Sequence, residues 1–233
     1  MYGYETRVRM TEADQYQQMT LTSVLNQFQD CSIFHSEDRG VGMSFLESRK
    51  RMWVLSSWKI VINRYPKMAE RIWVETWPYA FGKMTGSRNF RMLDGQGEVL
   101  AYADSFWVYM NTERARPCRL DEDVSGAYEI NPKLDMEYED GHIMLPEGMR
   151  EEEPFSVIWH QLDVNHHVNN GQYVLMAAEY LPEDFQIRQM RVEYRKSAKL
   201  DDRICPKVAV DGRGATVALD DPEGKPYAVI EFR

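Results

Sequence analysis

Two pairs of similar segments occur in the same order along the chain, and this internal repeat constrains the fold more than any other feature. Asp14–Asp30 aligns without gaps on Asp163–Glu179, 149 positions later, and each stretch has a polar opening followed by an apolar helical pattern. Trp58–Trp77 aligns on Met190–Ala209, 132 positions later. Because two similar segments keep their order, the 233 residues are predicted to contain one fold built twice.

Each copy contains one amphipathic helix. Residues at helical spacing form one face in each: Leu21, Val24, Leu25, Phe28 and Ser32 in the first copy, and Tyr173, Met176, Ala177 and Tyr180 in the second. Thr20 or Thr22 is the expected N-cap of the first helix. Asn169 or Asn170 is expected to cap the second helix, and Pro182 to end it.

Segments of alternating apolar and polar residues surround these helices and predict antiparallel strands at 58–62, 72–77, 87–93, 99–110, 215–219 and 226–232. Turn residues separate the last two pairs, which indicates hairpins. The fold class is therefore α+β. We expect a first module at residues 1–125, an acidic, proline-containing linker at 126–153, and a second module at 154–233.

The charge balance argues against nucleic-acid binding. Lys and Arg number 28 against 37 Asp and Glu, a net charge of −9, whereas phosphate neutralisation needs a basic footprint. No apolar run approaches the ~20 residues that cross a bilayer, and residues 1–10 lack the apolar core of a signal peptide. Cys31, Cys118 and Cys205 are widely spaced and odd in number, which predicts free thiols and a cytoplasmic location.

Asp163, Asn165 and His167 alternate directly before the second helix. In an extended segment alternate side chains share one face, so all three are predicted to point into one site. The N-terminus of the helix offers free N–H groups and the positive end of the dipole, which can stabilise a developing oxyanion. Three residues mark this N-terminus: Asn169, Asn170 and Gly171. Gly171 also lets a ligand approach the backbone closely.

The string DVNHHVNN at Asp163–Asn170, followed by Tyr173 and Glu179, resembles the active-site motif of the acyl-[acyl carrier protein] thioesterases of plants and bacteria. Stretches of the first half also resemble that family in order and spacing: RYP at 64–66, ETW at 75–77, DGQGE at 94–98, AYADSFWVYMN at 101–111 and RL at 119–120. The resemblance implies a tandem double hotdog, each module a long central helix wrapped by a curved antiparallel sheet. It also implies hydrolysis of a fatty acyl thioester on acyl carrier protein, ending chain elongation without a cofactor, by a monomer or homodimer.

The resemblance implies a role for each of these side chains. Asn165 would polarise the carbonyl or hold the water, and His167 would take a proton from water or return one to the thiolate. Asp163 would orient its partners or act as the nucleophile itself. Ser197 stands where the family usually has an acidic residue. Either Ser197 positions the attacking water by hydrogen bonding, or the hydrolytic activity of this protein is low or altered. Glu193 cannot replace that acid, because four strand residues separate it by about 13 Å.

The first module is expected to hold the acyl chain, with five candidate lining residues: Met19, Phe28, Trp53, Trp58 and Trp77. The carrier protein is acidic, so docking on an acidic chain needs a local positive surface. Three clusters are candidates: Arg49, Lys50 and Arg51; Arg114, Arg116 and Arg119; and Arg195, Lys196 and Lys199.

Two alternative functions stay open. Coenzyme A carries the same pantetheine arm, so an acyl-CoA thioesterase of the same fold fits the same residues. A non-hydrolytic acyl-binding module is the other alternative, because Ser197 replaces the acid. A metal site at His160, His166 and His167 is disfavoured, since adjacent histidines on a strand face opposite ways.

Overall fold

The computed structural model describes residues 1–138, 141–212 and 214–233. It divides into two compact units. The first module comprises Met1–Ser56 and Ile60–Tyr138, and the second module comprises Ser57–Lys59 and Glu139–Arg233. The boundary after residue 138 falls inside the segment expected to link the modules, whose limits at 126 and 153 stay predictions.

The first module is an antiparallel sheet with one long helix packed on it. Its elements, in chain order, are β1 (Tyr2–Arg7), α1 (Leu21–Asp38), α2 (Met43–Ser48), β2 (Arg51–Ile62), β3 (Arg71–Phe81), β4 (Thr85–Asp94), β5 (Val99–Asn111), β6 (Arg116–Pro117) and α3 (Glu122–Gly126). The strand order is β1-β3-β4-β5-β2, with β6 paired to β5. A 3-10 turn at Met10–Glu12 precedes α1.

Helix α1 follows the predicted face. Val24, Leu25 and Phe28 are fully buried, and the ring of Phe28 packs on that of Phe90 in β4 at 5.4 Å between centroids. Burying a side chain of this size stabilises the fold by about 1.5–3 kcal/mol. Thr20 is the N-cap, because its side chain accepts the N–H of the residue three positions on at 3.2 Å. The predicted helix is confirmed.

The second module has the same plan on a smaller scale. Its elements are β7 (Arg150–Glu151), β8 (Phe155–Ser156), a 3-10 turn (Trp159–Gln161), α4 (Asn170–Ala178), β9 (Gln189–Tyr194), β10 (Arg203–Asp211), β11 (Gly214–Asp220) and β12 (Pro226–Phe232). The strand order is β9-β12-β11-β10-β7, and β8 also pairs with β10.

Helix α4 is only 9 residues long, half the length of α1. Tyr173, Met176 and Ala177 form its buried face as predicted. Tyr180 lies beyond the helix, so its assignment to that face is wrong. The N–H of Tyr180 donates to the Ala177 carbonyl three residues back, which tightens the chain into a turn before Pro182.

The turn before α1 is repeated before α4. In the first module Oδ1 of Asp14 accepts the N–H of Tyr16 at 2.8 Å and that of Gln18 at 3.0 Å. The residue between them, Gln17, has a left-handed conformation with φ of 61°. The corresponding hydrogen bonds and the positive φ recur 149 positions later, around Asp163.

The loop that follows β2 in the first module is repeated after β9 in the second module. The carbonyl of Pro66 accepts the N–H of Met19 at 2.8 Å, and Oε2 of Glu70 accepts the N–H of Lys67 at 2.8 Å. The corresponding bonds recur 132 positions later, in the loop 198–202.

A third correspondence lies in the hairpin turns Asp94–Glu98 and Asp221–Lys225. In each, the aspartate N–H donates to the carbonyl four residues on, and a glycine takes positive φ, 85° at Gly97 and 78° at Gly224. Because separate loops share their hydrogen bonds position by position, the predicted duplication is confirmed.

Candidate active site

Asp163, Asn165 and His167 lie in a closed turn, so the prediction of an extended segment with all three side chains on one face is wrong. Oδ1 of Asp163 accepts the N–H of Asn165 at 2.8 Å and that of His167 at 3.3 Å. The N–H of Asp163 donates to the His167 carbonyl at 2.8 Å, and His166 has a φ of 59°. An aspartate that captures two backbone N–H groups closes a turn where a strand was expected.

This Asp163 turn still brings two of the three side chains into contact. Nδ2 of Asn165 lies 3.4 Å from Oδ2 of Asp163. Asn165 is exposed, whereas Asp163 and His167 are half-buried. The two carboxylate oxygens therefore have different neighbours: Oδ1 holds the backbone of the turn, and Oδ2 faces the amide of Asn165.

The N-terminus of α4 directly follows the turn. Asn169 is the N-cap, and its Oδ1 accepts the N–H of Gly171 at 2.8 Å. Its backbone carbonyl accepts the N–H of Gln172 at 2.9 Å. The expectation of a free N–H at Gly171 is therefore wrong, because the capping side chain already satisfies it. The positive end of the helix dipole still faces the turn.

The loop that carries Ser197 reaches the Asp163 turn through its backbone. The carbonyl of Ala198 accepts the N–H of Val168 at 2.9 Å. Ser197 is exposed next to the fully buried Ala198. The candidate residues of the turn, the helix N-terminus and the loop thus belong to one part of the second module.

Glu193 is engaged away from this loop. Its Oε1 accepts the N–H of Ile143 at 2.6 Å, and its Oε2 accepts from Arg195 at 2.8 Å. Burial would raise the pKa of Glu193, but the hydrogen bonds from Arg195 and Ile143 outweigh burial and lower it. Glu193 is therefore an ionised structural anchor, in keeping with the expectation that it does not replace the missing acid.

Two tyrosines contact the site, and neither was predicted to have a chemical role, although Tyr173 follows the DVNHHVNN string. The hydroxyl oxygen of Tyr173 accepts the N–H of Ala198 at 2.8 Å. The hydroxyl of Tyr194 donates to the carbonyl of Asn170 at 3.0 Å. Burial raises the pKa of Tyr173 to about 12, so its hydroxyl stays protonated at neutral pH. The sequence carried one signal for them: their counterparts in the first copy, Val24 and Ile62, are apolar.

The repeat makes the first module an internal reference for the site. Asp14 and Glu70 accept backbone N–H groups of their loops as Asp163 and Asp202 do. Other site positions differ between the copies: Asn165, His167, Tyr173, Tyr194 and Ser197 replace Tyr16, Gln18, Val24, Ile62 and Tyr65. Of these five positions, only the second copy has an imidazole, at His167, and only it has hydroxyl groups at the two positions that are apolar in the first copy.

Three of the candidate acyl-pocket residues lie in the first module as closely packed side chains. Met19, Phe28 and Trp77 are 1%, 0% and 3% exposed. Nε1 of Trp77 donates to the carbonyl of Pro132 at 2.8 Å, which fixes its indole. Side chains this buried contribute to the core whether or not they also face a ligand.

Trp53 and Trp58 lie in different surroundings. Trp53 is half-buried and packs on Phe81 and Tyr109, at 6.3 Å and 4.8 Å between ring centroids. Trp58 is buried and belongs to the second module. A cavity of about 740 Å³ lies beside the Trp53 group, and its lining combines apolar and basic residues: Phe81, Gly82, Lys83, Met84, Arg119, Leu120 and Ser125.

The three basic clusters differ in how far carboxylates already neutralise them. In the first, Arg49 pairs with Asp123 and Arg51 with Asp121. In the third, Arg195 pairs with Glu193 and Lys196 with Asp221, at 2.8 Å each, and Lys199 is exposed. In the second cluster Arg114, Arg116 and Arg119 are exposed, and none forms an ion pair with another residue that the structure describes.

A buried histidine and arginine face each other in the first module. Nδ1 of His35 lies 3.0 Å from Nη1 of Arg88, and both side chains are buried. Burial and the neighbouring Arg88 charge lower the pKa of His35 to about 3. Burial also lowers the pKa of Arg88. His35 is therefore neutral in the folded protein, stacked on Tyr2 at 5.0 Å.

Cys31, Cys118 and Cys205 are free thiols, and burial raises the pKa of Cys31 to about 12. Among residues 1–138, 141–212 and 214–233, no three or more histidine, cysteine or acidic side chains are grouped so as to hold a metal ion. In the same ranges, no helix has both the length and the apolarity to cross a membrane.

Comparisons with known proteins address the whole chain. The acyl-ACP thioesterase N-terminal domain model matches residues 1–128, and the C-terminal domain model matches residues 146–218. The chloroplastic dodecanoyl-[acyl-carrier-protein] hydrolase of Cinnamomum camphora is 28% identical over 231 residues, covering 91% of this chain and 60% of that protein. The chain thus spans about 60% of the length of this curated relative.

Two solved structures share the fold over nearly the full length of both chains. An acyl-ACP thioesterase from Bacteroides thetaiotaomicron superposes with a TM-score of 0.90 at 21% identity, covering 99% of this chain and 96% of that one. The 12:0-ACP thioesterase from Umbellularia californica has a TM-score of 0.88 at 24% identity, covering 100% and 96%. The prediction of an α+β tandem double hotdog is confirmed. The chain belongs to the acyl-ACP thioesterase family.

Proposed function

We propose that the protein hydrolyses the thioester of fatty acyl-[acyl carrier protein], releasing a free fatty acid and ending chain elongation. The observation that carries this proposal is the set of site residues in the second module that differ from their first-module counterparts on a shared frame, in a chain of this family. Asn165 and His167 are the central members of the set. The proposed location is the cytoplasm, and the proposed assembly is a monomer or homodimer.

In this mechanism water attacks the thioester carbonyl carbon and the carbon–sulfur bond breaks. The exposed amide of Asn165 donates to the carbonyl oxygen, while Oδ2 of Asp163 holds that amide in place. His167 takes a proton from the water and returns it to the leaving thiolate. Because Oδ1 of Asp163 already accepts two N–H groups, the orienting role suits Asp163 better than that of nucleophile.

Ser197 in place of an acid leaves two candidate functions, hydrolysis and acyl binding without hydrolysis. Its exposed hydroxyl can hold the attacking water by hydrogen bonding, which keeps hydrolysis possible without an acid. The non-hydrolytic acyl-binding module is the second candidate function, since a hydroxyl does not accept a proton from water at neutral pH. The acyl-CoA thioesterase reading uses the same residues.

The acyl chain is proposed to occupy the first module, whose proposed limits are residues 1–125, with the second module at 154–233. The cavity beside Trp53 favours this placement, because Phe81, Met84 and Leu120 give it apolar lining. Lys83 and Arg119 lie on the same cavity and can meet an anionic group. Met19, Phe28 and Trp77 would then support the pocket of the acyl chain by packing in the core around it.

The carrier protein is proposed to dock on Arg114, Arg116 and Arg119. Charge complementarity selects this cluster, because its cations are exposed and unpaired among the described residues, whereas carboxylates hold most of the other two clusters. Unpaired exposed cations steer an acidic partner at low ionic strength.

The deciding experiment measures thiol release with a chromogenic thiol reagent, using acyl carrier protein and coenzyme A thioesters of several chain lengths. The proposal expects release from the carrier-protein substrate and a large loss in His167→Ala. Release from coenzyme A alone would favour the acyl-CoA reading. Release from neither, with acyl binding retained, would favour the binding module.

The docking part has a matched control. Arg114→Ala, Arg116→Ala and Arg119→Ala combined should raise KM for the carrier-protein substrate more than KM for the coenzyme A substrate, and the difference should shrink at high salt. The control combines alanine at three exposed arginines that each pair with a carboxylate: Arg71, Arg150 and Arg233. Equal effects of the two triple variants would refute docking at this cluster.

A further inference from the structure

The backbone of Ala198 is held on both sides by different segments of the second module. Its carbonyl accepts the N–H of Val168 at 2.9 Å, and its N–H donates to the hydroxyl oxygen of Tyr173 at 2.8 Å. Ala198 is fully buried, and Ser197 beside it is exposed. Since the donated N–H belongs to the peptide that joins these two residues, Tyr173 fixes the plane from which the Ser197 side chain emerges.

The first module shows which of these two bonds the fold requires. There the carbonyl of Pro66 accepts the N–H of Met19 at 2.8 Å, as Ala198 does from Val168. Pro66 has no N–H to donate, and Val24 occupies the helix position of Tyr173. The same loop therefore folds in the first module without the tyrosine bond.

A second tyrosine joins the same elements. The hydroxyl of Tyr194, at the end of β9, donates to the carbonyl of Asn170 in the first turn of α4 at 3.0 Å. The rings of Tyr194 and Tyr173 lie 5.9 Å apart, and Ile62 is the counterpart of Tyr194 in the first module. Both hydroxyl bonds between the helix and the loop region are thus additions of the module that carries the candidate catalytic residues.

We propose that Tyr173 is a positioning residue whose hydroxyl fixes the Ser197–Ala198 peptide against α4 and thereby directs the Ser197 side chain into the active site. This inference rests on the proposed hydrolysis. Without the hydroxyl, the Val168–Ala198 bond keeps the loop in place, while the Ser197–Ala198 peptide is free to rotate. Enzymes are sensitive to such changes, because a displacement of about 1 Å can cost 100-fold in rate.

The test is Tyr173→Phe, compared with Tyr4→Phe as a matched control. Tyr4 is half-buried in the first module, and its hydroxyl donates to Oε1 of Gln27 at 2.6 Å. Tyr173→Phe should lower kcat for acyl carrier protein substrate at least tenfold, with KM changed less than about twofold. Tyr4→Phe should leave both constants unchanged.

A double-mutant cycle with Ser197→Ala separates positioning from a general structural effect. If Tyr173 acts through Ser197, Tyr173→Phe lowers kcat in the native background and has almost no further effect in Ser197→Ala. Equal losses in both backgrounds, or a kcat for Tyr173→Phe within twofold of the native value, would overturn the proposal.

Amide hydrogen exchange tests the contact without requiring activity. In the native protein the Ala198 N–H should be strongly protected, and Tyr173→Phe should expose it while Val168 stays protected. Rapid exchange at Ala198 in the folded native protein would overturn the proposal. Absence of turnover by the native protein would instead refute the proposed function. The Ala198 exchange rate would still decide whether the hydrogen bond from Ala198 to Tyr173 exists.

Discussion

Replacing Asp163 and its counterpart Asp14 separates the structural role of the carboxylate from its chemical role. Each aspartate accepts two backbone N–H groups through Oδ1, at 2.8 and 3.0 Å for Asp14 and at 2.8 and 3.3 Å for Asp163. Only Asp163 also faces an amide side chain, that of Asn165 at 3.4 Å from Oδ2. Both aspartates therefore hold a turn, and only Asp163 also holds the amide of Asn165.

The expected stability losses follow from the shared bonds. Alanine leaves two N–H groups in each turn without their protein acceptor, and water replaces it in part because Tyr16 and Asn165 are exposed. By analogy with the loss of an N-cap, each alanine variant should be destabilised by about 1–2 kcal/mol. For a chain of this length, this corresponds to a decrease in Tm of roughly 2–8 °C. Asparagine keeps Oδ1 as an acceptor and should cost less than about 1 kcal/mol.

The activity losses should separate the two positions. Asp163→Asn puts an NH2 group opposite the NH2 of Asn165, so the amide loses its anchor and turnover should fall at least tenfold at nearly native stability. Asp14→Asn and Asp14→Ala should keep the native kcat at temperatures where they are folded. The assays are thermal unfolding by circular dichroism and thiol release. An active Asp163→Asn, or an Asp14→Ala as inactive as Asp163→Ala, would refute this assignment.

Three further outcomes are expected. Gly97→Ala and Gly224→Ala should each cost about 1 kcal/mol in thermal unfolding, since both glycines have positive φ, and no loss at either would contradict the turn geometry. Stability should decline as pH falls below about 6.5 toward 3, because the unfolded chain protonates His35 before the folded protein does, and His35→Phe should flatten that decline. Ser197→Glu should raise the thiol-release rate if a missing acid limits turnover, and an unchanged or lower rate would argue against that limit.

Much of the fold was predictable because its signals are local. The face of α1 and its Thr20 cap appear as helical spacing after a capping residue, and the hairpins appear as alternation around turns that contain aspartate and glycine. The end of α4 was harder to predict, because Tyr180 continues the helical spacing although the chain has already tightened into a turn. Spacing alone does not show where a helix ends.

The site was predictable in its location and less so in its geometry. The alternation of Asp163, Asn165 and His167 suits a strand, and only the capture of two N–H groups by the aspartate converts it into a turn. Asp14 precedes α1 at the position that corresponds to Asp163, although Tyr16 and Gln18 stand there in place of Asn165 and His167. An aspartate common to both copies indicates a structural role.

The sequence by itself determined that the chain is a duplicated helix-and-sheet unit and placed the candidate catalytic residues in the second copy, because repeats, periodicity and motifs are written in consecutive residues. Only the tertiary structure decided that the Gly171 N–H is already paired and that Oδ1 of Asp163 holds a turn. It also decided that Tyr173 reaches Ala198, 25 residues away. Contacts over that distance depend on how the helix and the strands pack, and no local spacing encodes them.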